Sequence, residues 1–207
     1  LDRLKAGRPT RGFILYGLRG VGKTVLLNRI GLEAEAKGLF VVRIESPEDR
    51  SLPAMLVPTI RSTLHKISKG KALKNKLGKA LKAIGGFASA LSLTYQDIEI
   101  GFNPDKEAGL ADSGDLEIDL TDLFTTVAEA AAENNTAIVL SIDELQYVHE
   151  KQLAALITAL HRINQRQLPM TMIAAGLPQL WANMGRAKAY ADRLFDFISI
   201  DHIDDEE

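Results

Sequence analysis

One stretch limits the possible folds more than any other: "GFILYGLRGVGKTVLL", residues 12–27. A short apolar run ends in Gly17, a glycine-spaced turn follows, and apolar residues then recur at helical spacing through Val25, Leu26, Ile30 and Ala34. An apolar run bounded by glycine reads as a buried strand. Gly38 is a helix stop, and "LFVVRIES" (39–46) is a second such run. Strand, glycine turn, helix and strand in that order open an α/β domain.

The turn itself, "GLRGVGKT" (17–24), matches G-x-x-x-x-G-K-[ST] at every fixed position, and each residue type has a task. Gly17, Gly20 and Gly22 allow backbone conformations that a Cβ obstructs, so the N–H groups of Gly17, Leu18, Arg19, Gly20, Val21 and Gly22 can wrap a phosphate. A helix beginning near Lys23 adds its positive end. Lys23 brings a cation to the β- and γ-phosphates, and Thr24 offers a hydroxyl to Mg²⁺.

The remaining pattern extends the same architecture. Leu52, Met55, Leu56, Ile60, Leu64 and Ile67 mark one amphipathic helix, and Leu73, Leu77, Leu81, Ile84, Ala88 and Leu91 mark a second that Gly85-Gly86 weakens near its end. "YQDIEIGFN" (95–103) reads as a short strand and 104–115 as polar loop, so 51–115 forms an insertion between core strands. A helix over about 119–134 precedes a third strand, "TAIVLSIDE" (136–144). A further helix leads to "MTMIAAG" (170–176), the fourth, and "FDFISI" (195–200) is the fifth. Such alternation predicts a parallel sheet with helices on both faces.

The third strand carries Asp143 and Glu144 to its C-terminal end, where α/β proteins bind ligands. Asp143 is placed to hold Mg²⁺ across from Thr24, and Glu144 to polarise a water for in-line attack on a γ-phosphate.

Here the chain resembles a known group. Gly17 to Thr24 looks like a Walker A motif, and Ile138 to Glu144 like a Walker B motif with its catalytic glutamate. Order and spacing are similar to AAA+ P-loop ATPases, with the initiator (origin-recognition) kind and the bacterial STAND ATPases as the nearest likenesses. "DELQYV" (143–148) and "AAGLPQLW" (174–181) share that flavour. The resemblance implies a P-loop NTPase three-layer sandwich with a five-stranded sheet in order 5-1-4-3-2. It also implies Mg-ATP hydrolysis, coupling to assembly as a homo-oligomer, and a helical lid beyond the core. No lid sequence is present, and the chain opens on Leu1, so residues 1–207 read as one ATPase core cut from a longer protein. Turnover by the isolated core is expected to be weak.

Two positions matter for the chemistry. The family usually ends its fourth strand with a polar residue that watches the γ-phosphate, whereas this strand ends Ala174-Ala175-Gly176, with Gln179 in the loop beyond as a candidate. Just before the last strand the family places an arginine that reaches a neighbouring subunit's nucleotide. Arg193 matches best, with Arg186 behind it; the competing reading pairs Arg193 with Asp192 or Asp196 at the surface. By the same analogy Arg8, Pro9 and Thr10 are candidates for an adenine pocket.

Charge is balanced overall, at −2, but segregated. Ser51 to Gln96 holds Arg61 and seven lysines with no acid, whereas Asp97 to Glu150 holds fourteen acids and one base, Lys106. The basic block either meets a nucleic-acid backbone or faces the acidic block and solvent. No aromatic residue lies among the lysines at 66–82 to stack on bases. Single-strand binding therefore gains no support, and DNA is a possible partner through the initiator resemblance.

Other classes are disfavoured. A GTPase should show N-K-x-D, and "NKLG" (75–78) lacks the aspartate. A small-molecule kinase does not need the Asp-Glu pair. His149 and His161 lack partners at ligand spacing, and Trp181 reads as a core or interface anchor. No apolar run is long enough for a membrane span, and the absence of cysteine fits a reducing compartment, the cytoplasm being expected. A nucleotide-binding STAND-type switch with little turnover remains the alternative to a hydrolase.

Overall fold

The structure is a computed structural model describing residues 2–6, 8, 10–46, 51–68, 75–94, 109–189 and 191–201. After a short helix α1 (Asp2–Lys5), the strands are β1 (Gly12–Tyr16), β2 (Phe40–Glu45), β3 (Ile138–Asp143), β4 (Met170–Gly176) and β5 (Phe195–Ser199). They form one parallel sheet in the order β2-β3-β4-β1-β5. This is the expected order read from the other edge. Parallel strands buried on both faces need continuous apolar runs, and β3 and β4 supply them: Val139, Ile142, Ala174 and Ala175 are fully buried.

The two faces are covered unequally. Helix α2 (Lys23–Ala36) lies over one, packing Leu27 and Ala34 against Leu15, Val139, Ile173 and Ala175. The other carries α3 (Leu52–Ser68), α4 (Asn75–Thr94), α5 (Leu116–Glu133) and α6 (Glu150–Gln165), which share one large core with Ile14, Val42, Leu140 and Met172. Helices α7 (Gln179–Ala187) and α8 (Ala191–Leu194) close the sheet before β5. Helices α3 and α4 of the expected insertion therefore belong to the main core, through Leu56, Ile60, Leu64, Ile84 and Phe87.

Local chemistry explains where the helices differ from expectation. Helix α5 begins three residues early because Asp115 caps it, accepting from the N–H groups of Glu117 and Ile118. Behind the cap, buried Asp119 accepts from Ser113 and Gly114 and pins the incoming loop. Gly85-Gly86 does not weaken α4, which runs unbroken to Thr94. A Cβ on Gly86 would lie 2.2 Å from the Leu110 carbonyl oxygen, so glycine admits the returning chain. The strand expected at 95–103 lies outside the described residues.

The segregated charges meet each other. Helix α4 packs along α5, bringing Lys76 Nζ to 3.7 Å from Glu129 Oε2, and Arg166 joins the same carboxylate at 2.7 Å. Burial and the Asp119 charge push the Asp122 carboxyl up from its ordinary value, and the Lys79 charge opposes them. Lys69, Lys71 and Lys74 lie outside the described residues.

Candidate functional site

Strand order creates the site. β1 and β3 are not neighbours, because β4 runs between them. Their C-terminal ends flank the β4 terminus, and open α/β sheets bind ligands in the crevice beyond the C-terminal ends of such strands. The loop after β1 fills one side, Asp143 and Glu144 the other.

In the loop, Gly20 and Gly22 have φ of 85° and 90°, with no heavy atom within 4 Å of a Cβ built on either. Backbone sign rather than crowding demands glycine at these two positions. Gly17 is required for a different reason than phosphate wrapping: its Cβ would sit 2.1 Å from the Ile200 carbonyl oxygen, where the chain leaves β5. Gly22 precedes the first turn of α2, so the helix begins at Lys23 and its unpaired N–H groups face the loop. Lys23 is 8% exposed, and its Nζ donates to the Leu18 carbonyl, which holds the ammonium across the loop.

Residues 119 positions apart then meet: Thr24 Oγ1 donates to Asp143 Oδ2 at 2.6 Å. The second oxygen of Asp143 accepts the Glu144 N–H at 2.9 Å. Glu144 itself adopts a left-handed backbone, φ 54° and ψ 38°, which turns the chain out of the strand into a short 3-10 turn at Leu145–Tyr147. A non-glycine residue there costs roughly 1–3 kcal/mol, and Glu144 shares that φ of 54° with Ala111, Asn135 and Gln167. Arg19 bridges the two sides by donating to the Tyr147 hydroxyl at 2.9 Å.

Sequence reasoning missed one residue. Gln146 donates through Nε2 to Glu144 Oε2, and its Oε1 accepts the Leu177 N–H at 3.0 Å. The one local signal was a glutamine three places after Asp143; its partner lies 31 residues further on.

The remaining candidates sit elsewhere. Arg193 is exposed on α8 and makes no side-chain hydrogen bond or ion pair among the described residues. Of its suggested surface partners, the Asp196 carboxylate pairs with Arg11, which also donates to the backbone carbonyl of Asp192. Arg186 pairs with Asn183. Gln179 is exposed at the start of α7. Thr10 lines a cavity of about 20 Å³ with Gly12, Asn164, Met170 and Thr171, at the opposite end of β1 from the loop, which counts against an adenine contact. Arg8 is exposed, and Pro9 is outside the described residues. Trp181 is 62% exposed, so it is no core anchor. His161 contacts Gln165, and no group of three or more His, Cys, Asp or Glu side chains that could hold a metal ion forms among the described residues.

With this geometry in hand, the chain can be placed among known proteins. Residues 1–173 match the AAA ATPase domain family, and the chain belongs to that family. No curated protein matches it. Among solved structures, the Aeropyrum pernix ORC1 protein in complex with DNA is similar at 15% identity and a TM-score of 0.49, covering 97% of this chain and 42% of that one. The Drosophila ORC bound to GC-rich DNA and Cdc6 is similar at 16% identity and a TM-score of 0.47, covering 98% and 52%. An E. coli MS115-1 HORMA:CdnC:Trip13 complex follows at 15% and 0.43, covering 97% and 50%. The chain thus spans about half the length, or less, of these proteins.

Proposed function

We propose that the crevice binds Mg-ATP and hydrolyses it, and that the domain couples this to assembly with further copies of itself. The observation that carries the reading is the meeting of Thr24 and Asp143 beside the buried Lys23. A hydroxyl and a carboxylate are hard oxygen donors that suit Mg²⁺, which binds through few protein ligands and keeps several waters. When bound, the ion would neutralise charge building up on the β- and γ-phosphates.

The chain's own residues do the rest. The N–H groups from Gly17 to Thr24 and the ammonium of Lys23 hold the phosphates. Glu144 orients a water and takes its proton as the water oxygen bonds to the γ-phosphorus and the bond to the bridging oxygen breaks. Arg193, exposed and without a side-chain partner among the described residues, is the group free to reach a neighbouring subunit's nucleotide. An arginine supplied this way is worth about 10³–10⁵ in rate, so turnover would rise more than linearly with protein concentration.

DNA gains little from the geometry, since Lys76 and Lys79 face Glu129 and Asp122. No helix among the described residues is long and apolar enough to cross a membrane. The cysteine-free composition supports a reducing compartment such as the cytoplasm.

One observation favours a second reading, a STAND-type switch with little turnover: β4 ends Ala174-Ala175-Gly176 and offers the crevice no polar side chain. Glu144→Gln separates the two. A hydrolase retains ATP affinity and loses nearly all turnover, whereas a switch shows wild-type turnover equal to that of the variant.

A further inference from the structure

Gly176 ends β4 in the floor of the crevice, and a Cβ there would lie 2.6 Å from Gln146 Oε1. The carboxamide of Gln146 therefore occupies the place that a side chain at the end of β4 would take. It is held from both ends, accepting the Leu177 N–H at 3.0 Å and donating to Glu144 Oε2. Its position is also fixed by the chain: Gln146 lies in the 3-10 turn, whose last residue, Tyr147, donates its N–H to the Glu144 carbonyl at 3.1 Å. The arrangement ties one carboxylate oxygen of Glu144 to the sheet through a single planar group.

We propose that Gln146 is the positioning residue for Glu144: its Nε2–H fixes the carboxylate, and the Leu177 N–H fixes the carboxamide in turn. This rests on Glu144 being the group that polarises the attacking water. An unrestrained glutamate side chain samples several rotamers, and a water held by it loses its in-line alignment in most of them. A carboxylate with one oxygen tied keeps the other free for the water. A side chain at Gly176 would press on the carboxamide and on Leu180, whose Cδ2 would lie 2.7 Å from its Cβ, so the glycine end of β4 makes room for this device.

The test uses Gln146→Ala and Gln146→Glu, with Glu144→Gln as the blank, measuring ATP affinity and steady-state turnover in each. Gln146→Ala removes both hydrogen bonds. Gln146→Glu keeps an acceptor for the Leu177 N–H but removes the donor to Glu144 and sets a second carboxylate beside it. The expected result is a fall in kcat of about tenfold or more in both variants, with ATP affinity within about twofold of wild type. Rescue by Gln146→Glu would overturn the proposal, because it would reduce Gln146 to a structural prop for Leu177. Wild-type kcat in Gln146→Ala would overturn it as well, leaving the role of Glu144 intact provided Glu144→Gln is inactive. Wild-type turnover no higher than that of Glu144→Gln would remove the hydrolase reading and this inference with it.

Discussion

The rim of the sheet and its helical flank are built on opposite terms. On the flank, α3, α4, α5 and α6 interlock through fully buried Leu56, Ile84, Phe124 and Leu156, and Lys76 and Arg166 pair with Glu129 across it. At the rim, two glycines hold positive φ, Glu144 sits in a left-handed conformation, and Leu18 and Val25 are 63% and 73% exposed. Packing specifies one region, glycine turns and a few polar contacts the other, while non-glycine residues with positive φ occur in both, at Glu144 and at Ala111, Asn135 and Gln167. Stability and chemistry should therefore separate under mutation.

The largest effect expected on the flank comes from Gly86→Ala. Its Cβ collides with the backbone of Leu110 rather than with a movable side chain. Overpacking of this kind costs roughly 2–3 kcal/mol, or about 5–10 °C in Tm for a domain of this size. Calorimetry should show that loss while the folded variant binds ATP normally. A matching fall in ATP affinity at temperatures where the variant is folded would show that flank and rim are coupled.

Thr24→Ala probes the rim. It deletes the hydroxyl that reaches Asp143 and lies on an exposed turn, so Tm without nucleotide should move by about 1–2 °C at most. ATP affinity in Mg²⁺ should drop roughly tenfold, about 1.4 kcal/mol, and the drop should shrink when the metal is chelated. An equal loss with and without Mg²⁺ would detach Thr24 from the metal.

Two smaller effects follow from shifted carboxyl groups. Asp122 has its pKa raised by burial and by the Asp119 charge, so its contribution to stability is greatest below the ordinary carboxylate range and is lost as pH rises through the folded value. Asp122→Asn should raise stability at neutral pH by roughly a few tenths of a kcal/mol and match wild type in acid. Glu35 behaves oppositely. Its hydrogen bond from Arg43 holds the carboxyl below its ordinary value, so its stabilisation is present at neutral pH and lost as pH falls through the folded value. Glu35→Gln should cost less than about 1 kcal/mol at neutral pH, since the pair is largely exposed. Denaturation across a pH series checks both signs.

The sequence was readable in proportion to how local each determinant is. All five strands lie within about two residues of their apolar runs, and the loop after β1 announces itself through glycine spacing and the lysine-threonine pair. The start of α5 was read late because a cap, not periodicity, sets it. Gly17, Gly86 and Gly176 owe their identity to chain segments that pass close in space, and no local pattern shows those neighbours. Gln146 was hidden for the same reason, since the Leu177 N–H that orients it belongs to another strand's end. Of the two readings of Trp181, core or interface anchor, its exposure on α7 removes the first.

The central claim is that the crevice between β1 and β3 is a nucleotide site organised around Lys23. Titration calorimetry of Mg-ATP against wild type and Lys23→Ala tests it most directly. Saturable binding by wild type, weakened about 100-fold or more in the variant with an unchanged Tm in the absence of nucleotide, is the predicted result. Affinity in Lys23→Ala within a few-fold of wild type would contradict the assignment, whatever turnover either protein shows.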